Sequence, residues 1–246
     1  MDASDQSHDC APLAALLYDT GSVPGIDELI GAAAGSKDFT LSHVPPAGEG
    51  WAEVLRDGLT FDLRGLSGGP HLPMPEIDLA LGVDSASLGD VSAIQICPGP
   101  HLAGAQRLLP VIRVAAALTI ALARIGHPRA ICWVPARNAV DPELFNRAVR
   151  PWFEGGPFPA LALVSLHRIA TGGMASEGLK FMIGQEFVLT SDGSKSVEHL
   201  GRVALRLVDW LVAHGPIMKA GEAILAGTGA VFLETQDSTS IVARCA

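Results

Sequence analysis

The segment from Val91 to Val134 constrains this chain more than any other. Val91–Cys97 (VSAIQIC) is a short apolar run with β-branched residues, and it reads as a buried strand. Pro98-Gly99-Pro100 ends it, and a long helix is expected from there to about Arg124. Leu108, Leu109, Ile112, Ala115, Ala116, Thr119 and Ile120 recur at helical spacing, while Leu118 and Leu122 widen the apolar face. A helix apolar on so many sides must lie inside the protein. Gly126 and Pro128 stop it, and Ala130–Val134 is a second apolar strand. The result is a central β-α-β unit. Its ten-residue core Val114–Ala123 lies between Arg113 and Arg124 and is too short to span a bilayer.

On either side, shorter elements follow the same logic. Leu13–Tyr18 is a compact apolar strand. Ile26–Ala34 is a helix with Asp27 and Glu28 in its first turn. Phe39–Val44 and Leu59–Leu63 read as strands. Residues 67–90 form an ordered, turn-rich loop in which Ile77, Leu79 and Leu81 still alternate. Asp141–Val149 is a helix with Pro142 in its first turn. Ala160–Ile169 and Leu179–Thr190 read as long strands, with a possible break at Gly184 in the second. Ser194 is expected to cap a helix running to about His214, and Ala223–Leu233 and Thr239–Ala243 close the chain as strands. The fold class is therefore α/β (α+β): a mixed sheet flanked by helices, with ferredoxin-like flanks. With no linker visible, residues 12–246 read as a single compact domain behind a polar, disordered tail at 1–11.

Charge and hydropathy narrow the function classes. Charged residues make up 17% of the chain, against roughly 25% in an average domain, and mean hydropathy is +0.33. Some apolar surface is then expected to be covered by a protein partner or another copy of the chain. Residues 1–90 carry 15 acids and three bases, whereas residues 91–246 carry 11 acids and 14 bases. A net charge of −9 disfavours nonspecific nucleic-acid binding, which is built from clustered Lys and Arg. Basic density peaks at Arg107–Arg150, and pairing with the acid-rich first third of the same chain is the simplest use for it. Cys10, Cys97, Cys132 and Cys245 show no metal-type spacing. They read as reduced thiols in a cytoplasmic protein without metal or cofactor.

Few residues suggest chemistry. Cys97-Pro-Gly-Pro-His101 lies where a buried strand meets a helix. A helix N-terminus favours a thiolate, and His101 would be its base. This is the basis of an enzyme reading, a small hydrolase or transferase with a cleft at Cys97 and His101. Trp133 and Trp152 are candidate binding anchors, although large aromatics more often pack in cores. No phosphate loop, dinucleotide fingerprint, nucleophile elbow or zinc-protease motif occurs.

Leu13–Tyr18 with its following helix, Met74-Pro75, the Ala93–Cys97 strand and Ala130-Ile131-Cys132-Trp133 occur in a suggestive order. A helix starting at Pro142-Glu143-Leu144-Phe145 follows, then Gly178-Leu179 and Gly184-Gln185-Glu186-Phe187-Val188. Together they resemble the bacterial family catalogued as domain of unknown function 4261, over most of residues 12–230. The resemblance implies no activity and no catalytic residue. It draws attention to Gly178 and Glu186, as a strand-turn glycine and a buried acid or as binding residues. The expectation is a non-enzymatic module that binds a protein or itself, with neither nucleic acid nor membrane as partner.

Overall fold

A computed structural model describes residues 11–46, 48–170, 172–191, 193 and 195–245. The expected cap at Ser194, Cys10 and nearly all of the expected tail lie outside the described residues. In chain order, the first half contains β1 (Ala14–Asp19), α1 (Ile26–Ala34), β2 (Thr40–His43), β3 (Trp51–Arg56), β4 (Leu59–Arg64), β5 (Leu79–Leu81), β6 (Val91–Pro98), α2 (Leu109–Leu122) and β7 (Ala130–Trp133). The second half contains β8 (Asn138–Val140), α3 (Pro142–Phe153), α4 (Ala160–Leu163), β9 (Ser165–Arg168), β10 (Met174–Glu177) and α5 (Leu179–Ile183). It ends with β11 (Glu186–Thr190), α6 (Val197–His214), β12 (Gly221–Leu225), β13 (Gly229–Asp237) and β14 (Ser240–Cys245). The protein is a mixed α/β fold with two sheets flanked by helices. Among the described residues no helix is long and apolar enough to cross a membrane.

The chain divides into two compact units, where the sequence shows no linker. Residues 77–81 and 135–138 belong to the unit built mainly from 143–246, and residues up to 76, with 82–134 and 139–142, form the other. The chain crosses between units several times, through short segments inside otherwise regular sequence. No single flexible joint marks a boundary.

In the first unit the strands run in the order β2-β3-β4-β6-β1-β7. β1 pairs antiparallel with both β6 and β7, so the β6–α2–β7 crossover is split by an earlier strand. Ala14–Tyr18 is buried throughout, as a strand covered on both faces must be. Helix α2 packs on β1, β4 and β6 and buries ten of its residues. Pro110 sits in its first turn, and Thr119 Oγ1 donates to Ala115 O at 2.8 Å, which satisfies the one polar side chain it buries. The helix is shorter than its sequence suggests. After a 3₁₀ turn at Pro100–Leu102 the chain turns again at Gly104 (φ +82°), so α2 starts only at Leu109.

In the second unit the order is β12-β13-β14-β11-β10-β9, with β11 and β14 parallel and the other pairs antiparallel. Helix α6 buries Leu200, Val203, Ala204, Leu207, Val208 and Leu211, a stripe at 3.6-residue spacing. Ser196 Oγ caps it by accepting from His199 N at 3.2 Å. Three expected strands are subdivided here. Ala160–Leu163 is a helical turn before β9, because Ala and Leu are strong helix formers and do not alternate in polarity. Leu179–Ile183 is the short helix α5, bounded by Gly178 (φ +96°) and Gly184 (φ +83°). Ala223–Leu233 is the β12–β13 hairpin, turned at Gly227 and Gly229.

Candidate functional site

In the first unit, a strand missed in the sequence builds a cleft. Trp51–Arg56 alternates in burial, with Ala52 and Val54 facing the core and Trp51 and Glu53 facing outward. Asp57-Gly58, both at positive φ, turn it into β4, a dipeptide typical of tight hairpins. Cross-strand pairing places Trp51 opposite Arg64, and Glu53 opposite both Asp62 and His43. A cleft of about 910 Å³ opens over this face, lined by these residues together with Glu49, Pro70 and Leu72.

Glycines let its walls close. The chain at Gly50 passes so near Gly69 that a Cβ on Gly50 would lie 2.5 Å from Gly69 Cα. Gly50 O accepts the amides of Gly65 and Leu66 at 3.0 and 2.9 Å, which joins the β3 entry to the β4 exit. Trp51 Nε1 donates to Glu49 Oε2 at 2.9 Å, and the His43 ring lies 5.4 Å from the indole at 38°. Asp62, 7% exposed, is neutralised by Arg64 at 3.0 Å. Glu53 accepts from Ser42 Oγ at 2.6 Å. Among the described residues neither Glu49 nor Glu53 has a cationic partner. The cleft thus presents an aromatic shelf beside two uncompensated carboxylates, an arrangement suited to an ammonium or guanidinium group.

Three arginines of the arginine-rich stretch are paired internally. Arg124 pairs with Asp38 at 3.1 Å, Arg129 with Asp19, and Arg137 with Asp78 at 2.9 Å. The cleft carboxylates are among the acids of the first third left outside these pairs.

The enzyme candidates are placed differently from a working dyad. Cys97 is 1% exposed on β6, directly opposite Asp62. His101 is exposed and turns its ring to Thr60, with Nδ1 3.2 Å from Oγ1 and Nε2 accepting the amide at 3.5 Å. The thiol is enclosed, and the imidazole is directed to a threonine. Trp133 is fully buried on β7, among the core residues. Burial pushes the Cys132 thiol up to about 12. Burial, with the Glu28 charge adding to it, also raises the Tyr18 phenol above its ordinary range, and its hydroxyl donates to Ile125 O at 3.0 Å.

Gly178 and Glu186 do come together, in the second unit. Glu186 Oε1 accepts the amides of Gly178 and Lys180, each at 2.8 Å, and Oε2 accepts from Ser176 Oγ at 2.5 Å. Ser176 Oγ in turn accepts from Phe187 N at 2.9 Å. A Cβ on Gly178 would lie 2.8 Å from Ala136 Cα. These contacts hold a strand-to-helix turn and leave the carboxylate committed to its own chain. A separate line of charges runs Asp78–Arg137–Glu177–His167, ending in His167 Nε2 3.0 Å from Glu177 Oε2. Since Ser176 and Glu177 are consecutive in β10, the two networks occupy opposite faces of that strand. His71 and His101 belong to the first unit, and His167 and Glu186 to the second.

Comparison of the chain with family models, with curated proteins and with solved structures finds no match. The site therefore rests on geometry alone. Among the described residues no group of three or more His, Cys, Asp or Glu is placed to hold a metal ion.

Proposed function

We propose that this chain is a cytoplasmic, non-enzymatic binding module, and that the cleft of its first unit receives a Lys or Arg side chain of a protein partner. The observation that carries this reading is the set Trp51, Glu49 and Glu53: an indole oriented by one carboxylate beside a second, neither matched by a cation. An exposed cation–π contact contributes about 0.5–1 kcal/mol, and charge-assisted hydrogen bonds contribute more. The same acidity repels phosphate, which agrees with the absence of a nucleic-acid role in this proposal. Membership of the family called domain of unknown function 4261 belongs to the reading and adds no activity to it. The partner is another protein or a second copy of the chain.

Calorimetric titration of the full chain with a short Arg- and Lys-containing peptide tests the proposal. Saturable binding that weakens with salt and falls about tenfold in the Glu49→Gln, Glu53→Gln double variant is expected. Binding unchanged by that variant and by Trp51→Ala, or no binding at low salt, would overturn it. Sedimentation of the free chain separates self-association from recognition of a different protein.

A further inference from the structure

The second unit contains a cavity of a different character. It is an open cavity of about 400 Å³ between α6, residues 157–161 and the β12–β13 turn. Small-molecule pockets typically span about 300–1,000 Å³. Phe158, Leu161 and Leu205 supply apolar walls, and prolines on both sides of Phe158 stiffen the segment that carries it. Trp152 packs edge-on against Phe158, with ring centroids 5.4 Å apart.

The polar lining is sparse. Arg202 and Arg206 lie four residues apart on α6, hence on one side of it, and both are exposed. Neither has an ion-pair partner among the described residues. Asp209 is the acid in the lining, and its Oδ1 accepts the Phe158 amide at 2.9 Å. Thr228 also lines the cavity, with its Oγ1 buried away from the open space. Two guanidinium groups against one carboxylate leave the lining one positive charge in excess, which matches a monoanion better than a dianion.

We infer that this cavity is a second binding site, for a small monocarboxylate with an apolar body. Its carboxylate engages Arg202 and Arg206, and its hydrocarbon lies against Phe158, Leu161 and Leu205. Arginine suits the role because its planar fork matches a carboxylate. The site is independent of the acidic, cation-binding cleft in the first unit.

Octanoate is a suitable probe, titrated into the full chain and followed by tryptophan fluorescence. Saturable binding is expected, with the spectral change abolished by Trp152→Phe. Uncharged 1-octanol is expected to bind about tenfold more weakly, and the Arg202→Gln, Arg206→Gln double variant to lose at least about tenfold in affinity for octanoate. Equal binding of octanol and octanoate, full affinity in the double variant, or no saturable signal would each overturn the assignment. The octanol comparison uses the unaltered protein, so the test survives a variant that fails to fold.

Discussion

Glu186, Glu49 and Glu53 are all carboxylates at least partly exposed, yet they differ in what their own chain offers them. Glu186 receives three hydrogen bonds, two from backbone amides of the α5 turn and one from Ser176. Glu49 and Glu53 each receive one side-chain bond from a neutral donor, the Trp51 indole and the Ser42 hydroxyl. A carboxylate whose acceptors are filled from within is part of the scaffold, and one left with open lone pairs beside an aromatic ring is available to something else. The sequence singles out the first kind. The cleft is made of the second.

The sharpest test of this contrast is Glu186→Ala. Loss of three charge-assisted bonds is expected to lower stability by about 3 kcal/mol, seen as a lower urea midpoint, while basic-peptide binding is unchanged. Gly178→Ala comes next. Its φ of +96° and the approach of Ala136 are expected to cost about 2 kcal/mol in the same assay. Exchanging Glu49 and Glu53 for Gln should produce the opposite profile, with stability within about 0.5 kcal/mol of the parent and peptide affinity reduced. If the double Gln variant unfolds as readily as Glu186→Ala, the distinction between scaffold and site collapses.

Two smaller effects probe the surroundings. Cys132, with its thiol pushed up to about 12 by burial, should resist iodoacetamide at pH 8, as should the enclosed Cys97, while the partly exposed Cys245 reacts faster than either. Rapid labelling of Cys97 in the folded protein would restore it as a nucleophile. The weakest effect concerns Asp237, fully exposed at the β13–β14 turn and held at about 2 by hydrogen bonds from Ser240 and Thr239. Because its folded value lies below the unfolded one, it stabilises the turn above pH 4. That contribution fades as pH falls from about 4 to 2. Asp237→Asn should flatten this acid limb of the stability profile.

Much of the fold is legible along the chain. Helix α1 and strand β6 carry their own periodicity and stops, and α6 announces itself by an apolar stripe. The Asp57-Gly58 turn was also available as a signal for β3, flanked by alternating residues on both sides. Gly178 and Glu186 stand out by resemblance, but nothing in their eight-residue separation says that the carboxylate reaches back to cap the turn. Trp133 and Cys97 attract notice by residue type, and burial decides against a surface role for the tryptophan and encloses the thiol.

Local pattern settles which segments are helix or strand wherever hydrophobic period and turn residues agree, because both act over a few neighbouring residues. Tertiary packing alone inserts β1 between β6 and β7, brings Gly50 onto Gly69, and pairs Arg124 and Arg129 with Asp38 and Asp19 while leaving Glu49 and Glu53 unmatched by a cation. Those outcomes depend on contacts between residues far apart in the chain. A charge count records how many acids are present, and the folded arrangement decides which of them remain available to a partner.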